Sequence, residues 1–153
     1  PKWTYISTVR TFVENFMAIS LENKKKAGII AMSVNELIEN AIKYSDKEGI
    51  QIKFQIISTE QRLYVTVSNH SNAEEENNLR TILNEINNLP PLEAYMNRMK
   101  SSVASLNDKS AIGLARIRYE SKAKIDHTYD DEGFVNVHAV IPIDNEEVSN
   151  EYI

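Results

Sequence analysis

Cysteine is absent from the 153 residues. That excludes a disulfide framework, thiolate metal sites and a cysteine nucleophile, and it leaves the chain compatible with a reducing cytoplasm. Long apolar runs are missing as well. No stretch approaches the roughly 18–20 consecutive apolar residues of a membrane span, and no apolar segment with a small-residue cleavage site opens the sequence, so neither a membrane nor a secreted protein is expected. Basic charge is in deficit: 17 Lys and Arg stand against 22 Asp and Glu, a net charge of −5. Nucleic-acid binding draws its affinity from clustered basic side chains, and the only basic run, Lys24-Lys25-Lys26, is short, so no nucleic-acid partner is expected. With four Gly and four Pro in all, no flexible linker divides the chain, and no internal repeat does so. What is present, 42% hydrophobic and 25% charged residues, is the composition of one ordinary globular domain. Residues 1–143 are expected to form it, and 144–153 to be an acidic flexible tail without periodicity.

Hydrophobic period assigns the elements. Ile6, Val9, Val13, Phe16 and Met17 recur at helical spacing, and a second helix uses Ala27, Ile30, Val34, Leu37, Ile38 and Ala41. The period then falls to two: Ile52, Phe54 and Ile56, a loop at Ser58-Thr59-Glu60-Gln61, then Leu63, Val65 and Val67 read as a hairpin. Helical spacing returns at Leu79, Ile82, Leu83 and Ile86, with Asn72 as N-cap and Glu75 three residues on; Pro90-Pro91 ends it. A further helix carries Leu92, Tyr95, Met96, Met99 and Val103, a polar break follows at 107–110, and a shorter helix runs from Ala111 to Glu120. Strands at 125–129 and 134–141 flank the turn Asp130-Asp131-Glu132-Gly133, with Val135, Val137, Ala139 and Ile141 on one face. The expected fold is α+β: a two-layer α/β sandwich whose mixed, largely antiparallel sheet is covered on one face by helices.

Most of the functional information lies in Asn35-Glu36-Leu37-Ile38-Glu39-Asn40-Ala41-Ile42-Lys43-Tyr44-Ser45. At about 100° per residue, Glu36, Asn40 and Lys43 fall within roughly 60° of one another, opposite Val34, Leu37, Ile38 and Ala41. A carboxylate, an amide and an ammonium on one face have the chemistry to polarise a water, offer an oxygen to Mg²⁺ and neutralise a phosphate. The same face is equally an ordinary solvated one, and on geometry alone that simpler account is favoured.

Glu36-x-x-x-Asn40-Ala41-x-Lys43-Tyr44-Ser45 resembles the N-box of the GHKL (Bergerat-fold) ATPases, the superfamily of histidine-kinase catalytic domains and anti-sigma-factor kinases. The resemblance implies the histidine-kinase-like ATPase fold, with ATP and Mg²⁺ as cofactors. It passes the catalytic role to Glu36, Mg²⁺ ligation to Asn40 and phosphate contact to Lys43. In the family's adenine-reading position, where an Asp-x-Gly-x-Gly box stands, this chain has Asn69-His70-Ser71 and no glycine. The later glycine-rich box is thinned to Ser110-Ala111-Ile112-Gly113-Leu114, leaving Gly113 ahead of a helix N-terminus that would meet a phosphate. An amide in place of a carboxylate and the lost glycines imply weak or absent ATP binding.

Within that superfamily the chain is similar to the SiaB-type bacterial signalling kinases, through Val67-Ser68-Asn69, Leu83-Asn84-Glu85-Ile86-Asn87 and Ile112-Gly113-Leu114-Ala115-Arg116-Ile117. This implies a cytoplasmic partner-switching module resembling an ATP- and Mg²⁺-dependent Ser/Thr protein kinase with degenerate glycine boxes, which acts on a small antagonist-type regulator protein and is countered by a PP2C-type phosphatase; a homodimer is compatible with it. A nucleotide-free protein-interaction module of the same fold, docking through the helical region 73–105, is the alternative. The remaining polar residues read as structural: His70, His127 and His138 are too scattered for metal spacing, Arg116 and Arg118 read as solvated, and Glu74-Glu75-Glu76 as favourable charge at a helix start. Trp3, Tyr5 and the Met96/Met99 pair read as helical packing.

Overall fold

Alternating side chains produce four strands, β1 (Ile50–Ile57), β2 (Arg62–His70), β3 (Lys124–Tyr129) and β4 (Phe134–Pro142), joined as one sheet in the order β1-β2-β4-β3. Every pairing is antiparallel, so the sheet is not mixed. The computed structural model describes residues 2–47, 49–104 and 109–143. Expectations for the Trp3, Phe54 and Val103 side chains, for the break at 107–108 and for the tail from Asp144 lie outside the described residues. The helices are α1 (Lys2–Leu21), α2 (Lys24–Lys43), α3 (Ala73–Asn87), α4 (Pro91–Ala104) and α5 (Lys109–Ser121). No described helix is long and apolar enough to cross a membrane.

Register places Leu63, Val65 and Val67 of β2 beside Ile141, Ala139 and Val137 of β4, and all six are buried. On the other face, Ser68 donates to Asn136 at 2.6 Å, and Thr66 meets His138 Nδ1 at 3.0 Å. One apolar face against helices and one polar face outside make the two-layer sandwich. β1 pairs only with β2 and β3 only with β4, so both are edges.

The helices form where expected, with caps that explain their ends. Asn23 accepts Lys26 N at 3.0 Å to start α2, and Asn72 accepts Glu75 N at 2.9 Å to start α3. Glu22, at φ +53°, turns the chain between α1 and α2. All six expected α2 core residues are buried. In α1, Ile6, Val13 and Met17 are buried, but Phe16 is 49% exposed. The assigned face was too wide: α2 covers only part of the apolar arc of α1. Among the described residues of α4 the buried one is Ala94, while Leu92, Met96 and Met99 are exposed, so the Met96/Met99 pair does not pack in the core and neither does Tyr5, at 72%.

Polar residues read as incidental tie the helical insertion to the rest. Glu76 is buried, 3.0 Å from His127 Nε2 on β3 and 3.2 Å from Arg80 Nη2, so it is an interior partner and not merely charge at a helix start. Arg118 of α5 donates to the carbonyls of Ile86 and Leu89, satisfying acceptors that the end of α3 leaves open, instead of being solvated. Asn87 donates to Ile125 O at 3.0 Å, and Glu85 pairs with Arg98 of α4.

The β3–β4 turn depends on Gly133. Its φ is +85°, and a Cβ there would stand 2.7 Å from His70 Nε2, in a ring whose Nδ1 is held 2.6 Å from Asp46 Oδ1. Gly49 has φ +105° but no neighbour within 4 Å of such a Cβ. Gly133→Ala is therefore expected to cost on the order of 1–3 kcal/mol, and clearly more than Gly49→Ala, as read from denaturation midpoints.

Candidate functional site

α2 carries the candidate residues on a helix whose apolar stripe, Ile30, Val34, Leu37 and Ile38, is almost wholly buried. The helix lies on the sheet and is also packed against α1 and α5, so its polar residues meet different neighbours rather than a common solvent face. Glu36, Asn40 and Lys43, adjacent on a helical wheel, are separated in this way.

Asn40 is only 7% exposed, so it does not lie on a solvated face. Its Nδ2 donates to Glu36 O one turn back, at 2.9 Å. Among the described residues its Oδ1 is the buried side-chain oxygen with no hydrogen-bond partner. Asn40 lines a cavity of about 20 Å³ together with Asn69, Ser71, Tyr44 and the apolar Leu37, Leu114 and Val137. Asn69 is 3% exposed and donates to His70 O at 3.3 Å. Two of the expected ligand-binding residues thus line one small pocket. Among the described residues no group of three His, Asp or Glu is placed to hold a metal ion.

Ser71, where the family glycine would stand, is an ordinary residue of the β2 exit with no positive φ. It is buried, its Oγ donates to Tyr44 O at 2.9 Å, and its N donates to Gly133 O at 2.9 Å. These bonds fasten the end of α2 and the β3–β4 turn to β2.

Glu36 points elsewhere, to α5. A Cβ on Gly113 would come 2.2 Å from Glu36 Oε2 and 3.1 Å from its Cδ. Gly113 lies inside α5, which begins at Lys109, and not ahead of its N-terminus as expected; its missing side chain makes room for a carboxylate. Partial burial pushes the Glu36 carboxyl above its ordinary value, with Glu39 and Glu120 adding to the rise and Arg116 and Arg10 opposing it. Arg116, on α5, also bonds Glu120 at 3.2 Å, and Asn35 donates to Glu39 at 2.6 Å. The result is a charged seam spanning α1, α2 and α5. Arg116 and Glu120 belong to it, and their i,i+4 spacing is the sequence signal for them. Lys43 is exposed, with Nζ 5.2 Å from the Tyr44 ring centroid.

The fold has a known counterpart. A chain of the crystal structure of the SiaB-SiaC complex from Pseudomonas aeruginosa matches this one with a TM-score of 0.73, at 16% sequence identity, over 90% of this chain and 83% of that chain. At that identity the likeness is one of fold. No family model matches the sequence, and no curated protein does.

Two outcomes follow from the Glu36 contact. Gly113→Ala is expected to destabilise by about 1–3 kcal/mol through overpacking. In a Glu36→Ala background the same change becomes neutral or gains up to about 1 kcal/mol from helix propensity, so a double-mutant cycle reads the contact directly. The second concerns pH. A carboxyl whose folded value is raised binds its proton more tightly in the folded state, so its contribution is greatest below its unfolded value, about 4.3, and is lost as pH rises through the folded value. Glu36→Gln, isosteric and uncharged, should therefore be more stable than the parent at pH 7, with the gain shrinking to nothing toward pH 4.

Proposed function

We propose that the chain is a SiaB-like signalling module of the partner-switching type that works in the cytoplasm by docking a small antagonist-type regulator protein, in a pathway countered by a PP2C-type phosphatase, and that it does so without nucleotide turnover. The observation that carries this reading is how little space Asn40 and Asn69 share. The two residues that would read adenine and hold Mg²⁺ face a cavity of about 20 Å³, walled by Leu37, Leu114 and Val137. The fold shared with a chain crystallised in a SiaB-SiaC complex supports a protein partner.

The docking surface is the exposed apolar stripe of α4, Leu92, Met96 and Met99, 40–48% exposed and spaced four and three residues apart on one face. Unbranched Met side chains adapt to a partner's relief at little rotamer cost. The stripe is anchored from behind by Ala94 and by the Glu85–Arg98 pair.

A second reading, an ATP- and Mg²⁺-dependent Ser/Thr kinase of the GHKL superfamily, draws on one feature: a half-buried Glu36 with a raised pKa has the basicity suited to accepting a proton from a hydroxyl. In it Asn40 would hold the metal, and Lys43 and the Gly113 helix would face phosphate.

Calorimetric titration with ATP, with and without Mg²⁺, separates the two. The docking reading expects no heat of binding up to millimolar nucleotide, and none after Asn69→Asp with Ser71→Gly, because the apolar walls remain. Low-micromolar binding, roughly 8 kcal/mol, that Asn40→Ala abolishes would overturn it in favour of the kinase. Leu92→Glu with Met96→Glu should weaken capture of the regulator at least about tenfold without lowering the melting temperature.

A further inference from the structure

We propose that the groove between α1, α2 and β1 binds the apolar tail of a single-chain fatty carboxylate, whose head meets the Lys47 ammonium. The inference is independent of what the domain docks through α4.

The groove exists because the helical layer does not fully cover the edge of the sheet. Ile50 and Ile52 of β1 stand in register with Asn69 and Val67 of β2, so all four share the inward face. The β2 members are buried, whereas Ile50 and Ile52 are only partly so. Above them Ile38, Ile42 and Ser45 follow at intervals of four and three residues along one face of α2 and the turn after it, and Val9 of α1 adds a further wall. The space is about 350 Å³. It shares no lining residue with the pocket at Asn40 and Asn69, which draws on Leu37, Asn40, Ala41 and Tyr44, about 100° round the helix.

Its walls and size suit a narrow apolar chain. The volume lies at the small end of the roughly 300–1,000 Å³ of ligand sites, which favours one alkyl chain over a two-tailed lipid. Walls of Val9 and four isoleucines offer water few hydrogen-bond partners, so exchanging water for methylenes there is favourable.

The polar end is the turn from α2 to β1. Among the described residues lining the groove the charged one is Lys47, and it is exposed. Its Nζ is 3.3 Å from His70 Nε2, in the ring whose Nδ1 is 2.6 Å from Asp46 Oδ1. With Asp46 accepting the Nδ1 proton, Nε2 is an acceptor for one ammonium N–H, and an ammonium has two more to give a carboxylate. Asp46 itself is turned to the imidazole and is not part of the lining. Ser45 Oγ donates to Lys47 O, which curls the turn back on itself, and a Cβ on Gly49 would meet nothing within 4 Å, so the mouth is open. An anionic head is matched at this end and a cationic one repelled.

Titration of the whole chain with decanoate below its micelle threshold tests this, read by calorimetry and by methyl NMR of isoleucine-labelled protein. Saturable binding with a dissociation constant on the order of 100 µM is expected, tightening about tenfold for dodecanoate as two more methylenes are buried. The methyl signals of Ile38, Ile42, Ile50 and Ile52 should move, while those of the exposed Ile19 and the core Ile141 should not. Lys47→Glu should weaken decanoate at least about tenfold and decanol less than about twofold, and Lys47→Arg should bind as the parent does. Decyltrimethylammonium should not bind. Phe16→Glu and Leu92→Glu, on the exposed stripes of α1 and α4, should leave decanoate binding unchanged. Heats that never saturate, or shifts centred on Ile19, mean adsorption to the surface and overturn the proposal. So does a Lys47→Glu variant that spares decanoate or weakens decanol equally.

Discussion

Burial of α2 on several sides at once is the constraint from which the rest of this structure follows. Ile30, Val34, Leu37 and Ile38 are excluded from solvent because the sheet lies beneath the helix and α1 and α5 lie against it. A helix enclosed in that way has no continuous polar face to offer. Each polar residue on it must be accommodated one by one, by a hydrogen bond, a small facing residue or an exit to solvent. Asn40 takes the first course in part, through Nδ2; Glu36 takes the second, opposite Gly113; Lys43 takes the third.

The consequence is a division of labour within one motif. Glu36 lies at a helix–helix contact where its carboxylate is incompletely solvated and where Arg10 and Arg116 are close enough to offset the cost. Asn40 and Asn69 line one small pocket with Ser71 and core aliphatics. A one-sided acceptor such as Asn40 Oδ1, buried without a donor, costs about 1–3 kcal/mol. That expense is tolerable only in a well-packed domain, and the fully buried ladder between β2 and β4 provides one.

Period and capping made most of the architecture legible. The alternation in 134–141 and 63–67 identified the strand faces, Asn72 marked a helix start, and Pro90-Pro91 marked a boundary that α3 and α4 respect. The six α2 core positions that spacing marks are all buried, while Ala31, Met32 and Ser33, buried as well, fall outside that stripe because neighbours enclose the helix on more than one side. Long-range polar pairing was not readable. Nothing near Glu76 in sequence announces His127, and Arg118 of α5 caps the end of α3, two elements earlier in the chain. The α1 and α4 faces were misassigned for a related reason: spacing shows that a side chain is apolar and on a stripe, but not which stripe the rest of the chain covers. For the site, helical-wheel geometry correctly grouped Glu36, Asn40 and Lys43 by azimuth. It had no access to the neighbours of α2, which pull them apart.

The strand order carries a consequence for how the chain comes to be folded. The central ladder joins β2 to β4, from Arg62↔Pro142 to His70↔Phe134, while α3, α4 and α5 intervene in sequence. During synthesis, at about 5–20 residues per second, the hairpin of β1 and β2 emerges seconds before its partner exists. For that interval β2 presents an unpaired edge bearing Leu63, Val65 and Val67, the kind of strand that recruits another chain's backbone. β1 covers only one side of it. The helices that follow β2 are thus not only an insertion in the finished fold. On the ribosome they are the delay during which a nascent sheet must be kept from pairing with the wrong molecule.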